Sequence, residues 1–217
     1  MVKVAGIIPE INYSITTNNI SCDILEIRFD LFKDQSIPKT ITYLKHLKKT
    51  IKLPLILTIR LEKEGGKHKK DESRLEFFSL LIPFCDFIDI EYNSKILPKA
   101  VKLANKSHKK VIISYHNFKH TPDNAFLLNL LKTSNKLTPA LTKIAAFAKN
   151  NNDFLRLIAF TSQNSQNSPL CVIPMGHNSS LGRLICPLLG SALSYGYIHK
   201  PVVPGQLSIK NLKKHLH

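Results

Sequence analysis

The chain has 217 residues, of which 43% are hydrophobic and 21% charged, with a formal net charge of +16. This balance excludes a disordered or fibrous chain, and no apolar run approaches the roughly 20 residues of a transmembrane helix. What remains is a globular, cytoplasmic protein of one domain, residues 1–217, with a length on the short side for an α/β barrel.

Strand-like runs recur with helical spacing between them, the pattern of a parallel sheet or barrel. VKVAGIIP, residues 2–9, reads as a first strand rather than a cleaved leader, because the apolar run is short and ends at Pro9. A short connection over residues 12–21 leads to a second strand, DILEIRFDLF. An amphipathic helix over residues 38–52 turns Ile41, Leu44 and Leu47 inward and lysines outward. The third strand, LPLILTIR, ends at Arg60, and the polar stretch LEKEGGKHKKDE with Gly65 and Gly66 reads as a mobile loop before helical spacing resumes over residues 73–81. DFIDIEY is the fourth strand, a helix covers about residues 95–107, and KVIISYHN is the fifth strand. Pro122 starts a leucine-rich helix, and LTKIAAFA, residues 141–148, is the sixth strand. Asn151 or Asn152 caps a helix that carries Phe154, Leu155, Ile158 and Phe160 inward. LCVIPMG is the seventh strand, residues 181–191 a helix, and LSYGYI the eighth strand, followed by HKPVVPGQ and a basic C-terminal helix. Eight strands and about eight helices in this order predict a (β/α)8 TIM barrel.

The lysines of the excess charge, such as Lys45, Lys48, Lys49, Lys99, Lys102 and Lys106, fall mostly on helical segments. No nucleic-acid-binding motif or interleaved aromatic accompanies them, so solvated helix faces account for the charge better than a nucleic-acid partner. Cys22, Cys85, Cys171 and Cys186 have no C-x-x-C spacing and read as reduced core residues rather than a zinc site or disulfide frame.

Charged and polar residues collect at the C-terminal ends of the apolar strands: Glu26, Arg28 and Asp30, then Arg60, Glu91 and His116, with Lys143 inside strand six. In a barrel these ends converge on the face where active sites are built. Lys143 shares one strand face with Leu141, Ala145 and Phe147, and the opposite face is apolar too, which predicts burial on both sides. Taken alone, such a lysine more often pairs with a carboxylate or snorkels from a strand end. Beside a histidine on the same rim, a neutral lysine condenses with a ketone to an iminium, and the histidine takes a neighbouring proton; elimination and aldol chemistry are both open to that pair. Arg28, Arg60 and Arg183 suit an anionic group such as a carboxylate, and as cations they are expected to disfavour the charged form of Lys143, with Glu26 and Glu64 limiting the effect.

In order and spacing, EIRFD, IRLEKEGG, SYHNF, TKIAAFA, PMG, GR, GSALSYG and PGQ are together similar to the type I 3-dehydroquinate dehydratases of the shikimate pathway, over essentially the whole chain. The resemblance implies conversion of 3-dehydroquinate to 3-dehydroshikimate without metal or cofactor, through a Schiff base. It implies Lys143 as the nucleophile, His116 as acid and base, and Glu64 as the group that orients His116. Arg183 would hold the substrate carboxylate, Glu26, Arg28, Arg60 and Gln206 the ring hydroxyls and carbonyl, and Met175 and Tyr195 would form apolar walls. It also implies a homodimer, with no nucleic acid or membrane as partner. Two departures stand out: Val202 and Val203 occupy the place of a usual Ser-Ala pair before PGQ, and the segment between Met175 and Arg183 is slightly short.

Overall fold

The computed structural model describes residues 2–11, 13–17 and 20–216. Of the stretches read above, Met1, Asn12, Asn18, Asn19 and His217 lie outside the described residues. Eight parallel strands, β1 (Lys3–Ile8), β2 (Ile24–Arg28), β3 (Leu55–Thr58), β4 (Phe87–Glu91), β5 (Lys110–Asn117), β6 (Leu141–Ala148), β7 (Leu170–Gly176) and β8 (Leu193–Tyr197), form one sheet in the order β7-β6-β5-β4-β3-β2-β1-β8. The two ends of that order meet. Ala192 N donates to Leu170 O at 2.8 Å and Val172 N to Ser191 Oγ at 3.2 Å, so a nearly closed barrel replaces two exposed sheet edges.

Seven α-helices rather than eight are present among the described residues: α1 (Ile37–Thr50), α2 (Arg74–Leu81), α3 (Leu97–Lys106), α4 (Asn124–Asn135), α5 (Asn151–Asn164), α6 (Ser179–Leu188) and α7 (Ile209–Leu216). Several helix bounds differ from the sequence reading: α6, read over residues 181–191, runs from Ser179 to Leu188, and the starts of α4 and α5 are set by caps other than those read. Pro122 precedes the N-cap of α4, which is Asp123, whose carboxylate accepts from Phe126 N at 2.7 Å. Asn150 rather than Asn151 or Asn152 caps α5, accepting from Asp153 N; with the start moved by one residue, Leu157 is buried and Leu155 is left 51% exposed.

Period-two alternation explains the core, because each strand buries both of its faces. Outward residues of β2–β5, such as Leu25, Ile27, Leu57, Ile88 and Ile113, pack against Leu44 and Leu47 of α1, Phe78 and Leu81 of α2, and Ala100 of α3. On the other side Ile144, Ala146 and Val172 meet Leu127, Leu130, Leu157 and Phe160, each large side chain contributing about 1.5–3 kcal/mol by its burial. Inward, Ile24, Ile56, Ile112, Leu141, Cys171 and Leu193 fill the barrel with an apolar layer. The next inward residues along β2–β6 are polar, Glu26, Thr58, Asp89, Ser114 and Lys143, and all five are buried. The cysteines are unpaired, three of them buried and Cys22 partly so.

Candidate active site

A cavity at the C-terminal end of the barrel is lined by Glu26, Arg28, Arg60, Glu64, His116, Lys143, Met175, Arg183, Tyr195 and Gln206; of the residues the sequence singled out, Asp30, Glu91 and Val202 do not line it. Strand register makes this convergence. Ser114 stands beside Lys143, and His116, two residues further along β5, is on the same inward face one step nearer the mouth.

Lys143 is 4% exposed. Its Nζ lies 3.1 Å from Asp89 Oδ2, 3.4 Å from Glu26 Oε1, and 4.0 Å from the centroid of the Tyr195 ring. The sequence reading expected guanidiniums to act on it, with Glu26 and Glu64 limiting the effect; the charged groups in contact are the carboxylates of Asp89 and Glu26, which compensate the desolvation of a buried cation. Asp89 also receives Arg60 Nη2 at 2.7 Å and Ser114 Oγ at 2.6 Å. Burial acts to raise its pKa, but Arg60 and Lys143 outweigh it and hold Asp89 well below the ordinary carboxylate range.

Arg60 lines the cavity with both terminal nitrogens engaged, Nη1 by Ser114 Oγ at 2.7 Å and Glu91 Oε1 at 3.2 Å, Nη2 by Asp89. Arg28 is likewise forked onto Asp30, Nε to Oδ1 at 2.9 Å and Nη2 to Oδ2 at 2.8 Å. Two of the three arginines expected to grip an anion are therefore already gripping protein carboxylates.

His116 Nδ1 is 3.1 Å from Glu64 Oε2, and the same oxygen accepts the backbone N–H of His116 at 3.0 Å. Burial first, then the Arg60 and Lys143 cations, push the imidazole pKa well below its usual value, so His116 is neutral at neutral pH. Burial raises Glu64 to about 7. Backbone hydrogen bonds knit the 61–68 stretch together. Glu62 N donates to His68 O and His68 N to Arg60 O, at 2.8 and 3.1 Å, and the chain turns back at Gly65, whose φ of +79° suits glycine. Gly66 approaches so closely that a Cβ there would sit 2.0 Å from Arg60 O. Glu64 thus reaches His116 with no closing movement.

The opposite wall differs. Arg183, 4% exposed, donates from Nη1 to Tyr195 O at 3.2 Å, while its Nε has no partner and no carboxylate pairs with it among the described residues. Burial lowers its pKa to about 10. Tyr195 Oη and Gln206 Nε2 are also buried without partners. Burial, and then the Glu26 and Asp89 charges, raise the Tyr195 pKa well above its usual value, so the phenol keeps its proton as a donor and is more than an apolar wall. Val203, not Val202, lines the cavity; Val202 contributes its N–H, which donates to Gln206 Oε1 at 2.9 Å and leaves Nε2 as the free end of that amide.

Asp89 was not among the sequence candidates, although alternation puts it on the same face of β4 as Glu91, two residues on. Phe118 was also passed over, and its ring lies 6.5 Å from that of His116, nearly parallel. Among the described residues no group of three or more His, Cys, Asp or Glu side chains is arranged to hold a metal ion, and no helix is long and apolar enough to cross a membrane.

Comparison with known proteins matches residues 8–217 to the family model for type I 3-dehydroquinase. The 3-dehydroquinate dehydratase of Methanocella arvoryzae is 34% identical over 196 residues, covering 89% of this chain and 85% of the relative. The crystal structure of the 3-dehydroquinate dehydratase from Aquifex aeolicus has a TM-score of 0.86 at 30% identity, covering 99% of this chain and 96% of that one. The type I enzyme from Clostridium difficile, solved with covalently modified comenic acid, also has a TM-score of 0.86, at 26% identity over 99% of this chain and 91% of that one.

Proposed function

The chain belongs to the type I 3-dehydroquinase family, and from that premise we propose that it dehydrates 3-dehydroquinate to 3-dehydroshikimate through a Schiff base on Lys143. The observation that carries the reading is the placement of a buried lysine and a Glu64-backed, neutral imidazole on the inward face of neighbouring strands. Lys143 attacks as the free amine with Asp89 and Glu26 holding its Nζ, and the proton it gives up leaves in the water expelled from the carbinolamine. The amine adds to the C3 ketone and expels water, leaving an iminium that acidifies C2. With Nδ1–H donated to Glu64, His116 Nε2 takes the C2 proton; the resulting enamine expels the C1 hydroxyl, which leaves as water with the proton His116 returns. Water then hydrolyses the iminium and restores Lys143. One water is lost overall, so no redox partner is needed.

The unpaired Arg183 guanidinium suits the substrate carboxylate, and Tyr195 Oη and Gln206 Nε2 are donors for its oxygens. Arg28 and Arg60 act from behind their carboxylates, and Glu26 presents an acceptor to a ring hydroxyl. Met175 and Val203 form apolar walls. The enzyme works in the cytoplasm, which its unpaired cysteines support, and as a homodimer, as the family resemblance implies; sedimentation velocity measures the latter, and a monomer at assay concentration would refute it.

Purified protein given 3-dehydroquinate should produce the ultraviolet absorbance of a conjugated enone. Borohydride added with substrate should inactivate it and leave one reduced adduct on the peptide containing Lys143. Full activity after borohydride, or an adduct on a surface lysine, would sink the Schiff-base mechanism.

A further inference from the structure

Arg74 opens α2, outside the barrel mouth, yet its side chain is completely buried and does not line the cavity. Nη1 donates to Glu91 Oε2 and, at 2.7 Å, to Ile59 O; Nη2 donates to Asp71 Oδ1 and, at 2.9 Å, to Ser94 Oγ. Asp71 is itself anchored by Lys95 N at 2.7 Å. Glu91, also fully buried, spends its other oxygen on the active-site side, accepting Leu61 N at 2.9 Å and pairing with Arg60 Nη1 at 3.2 Å. Leu61 O in turn accepts from Glu64 N at 3.0 Å and Gly66 N at 2.9 Å, which shapes the turn from which Glu64 meets His116.

We infer that Arg74 is a positioning residue for the reaction: through Glu91 it sets both the Arg60 guanidinium and the backbone turn that delivers Glu64 to His116. This rests on the catalytic roles proposed above for Glu64 and His116. Stability alone does not call for the arrangement, since an apolar set of similar volume commonly serves a core as well as a buried ion cluster does. A planar fork offers something an apolar set lacks, which is fixed direction. Four acceptors from three chain segments are held at once, and the carboxylate between the two arginines has no freedom to rotate.

The test compares wild type, Arg74→Met and Arg74→Lys in the full chain, by kcat and KM for 3-dehydroquinate, the pH profile of kcat, and thermal unfolding. Arg74→Met should lower kcat by on the order of 100-fold, the size of effect that a displacement of about 1 Å produces, with KM changed less and the acid limb of the profile moved. Arg74→Lys should recover part of kcat, because a point charge holds Glu91 but not all four acceptors. A folded Arg74→Met with the wild-type kcat and pH profile overturns the inference, whatever its melting temperature. If Arg74→Met does not fold, Arg74→Lys decides: a lowered kcat with a moved limb supports the inference and wild-type values overturn it. A wild-type protein inert toward 3-dehydroquinate would sink the assigned reaction instead. NMR titration of the His116 ring in wild type and Arg74→Lys then tests positioning without substrate; different curves support it and superimposable curves overturn it.

Discussion

The two walls of the cavity handle buried charge in opposite ways. On the β3–β6 side Lys143, Asp89 and Arg60, and behind them Glu91, Arg74 and Asp71, alternate in sign, each within ion-pair distance of the next. On the α6–β8 side Arg183 is equally buried and has no carboxylate, and Tyr195 Oη and Gln206 Nε2 lack partners beside it. Desolvating a charge without a partner costs free energy, so the unpaired wall is where the folded chain leaves interactions for a ligand to complete. The paired wall holds its geometry with or without one. Burial alone does not separate reading groups from framework groups, nor does a single open donor, since Arg74 Nε also lacks a partner; the presence or absence of facing carboxylates does.

The comparison breaks first on stability. Glu91→Ala removes the carboxylate that Arg74 and Arg60 share, leaving each with one, and should lower unfolding free energy by about 3–5 kcal/mol, measured by denaturant titration; a loss as large in Arg183→Met would mean that the two walls are not different. Next comes chemistry. His116→Ala should slow kcat by a factor on the order of 100 or more, as removal of a positioned acid–base group does, while borohydride still traps the imine; near-normal turnover would take His116 out of the mechanism. Arg183→Met should leave the melting temperature unchanged or higher, because it removes an unpaired buried cation. It should also raise KM by roughly 10- to 100-fold, in line with the about 1.5–3 kcal/mol of a charged hydrogen bond. Unchanged KM would put the substrate carboxylate elsewhere.

The pH dependence sharpens the same contrast. Glu64 keeps its proton up to about 7, and His116 needs an ionised Glu64 to hold Nδ1–H. Turnover should therefore rise as pH increases through about 7, and Glu64→Gln should remove that limb; a flat wild-type profile from pH 6 to 8 would contradict the pair. Smallest of all, Tyr195→Phe deletes a hydroxyl that the free protein leaves unsatisfied. It should not destabilise the fold, and it should raise KM by no more than about 10-fold, within the 1–3 kcal/mol range for leaving a polar partner unpaired. A lowered melting temperature would show that the phenol has a structural partner after all.

Much of this was legible before any coordinates. The ends of β5 and β6 read from alternation match those in the structure, because strands buried on both faces are written as apolar runs whose interruptions stand out. Lys143 and His116 were found as such interruptions, Arg183 as a cation suited to an anionic group, and Gln206 through a family motif. Helix starts slipped by one or two residues at α4 and α5, since several adjacent Asn, Asp and Pro residues compete for one cap and only the packed helix decides among them.

What the amino-acid order by itself determined is the local pattern: eight period-two segments, glycines where the chain turns back, and polar residues at strand ends. What only the tertiary structure decided is which charge meets which. Lys143 to Asp89 spans 54 residues, Arg60 to Asp89 spans 29, and Lys143 to Glu26 spans 117. Those pairings are set by strand register around a closed barrel, where a shift of one residue turns every side chain to the other face. The three arginines look alike as sequence; Arg28 takes the carboxylate of Asp30 two residues along, whereas strand register brought Arg60 to Asp89 and Glu91 and left Arg183 without a carboxylate, because charges tens of residues apart become neighbours only when the strands assemble.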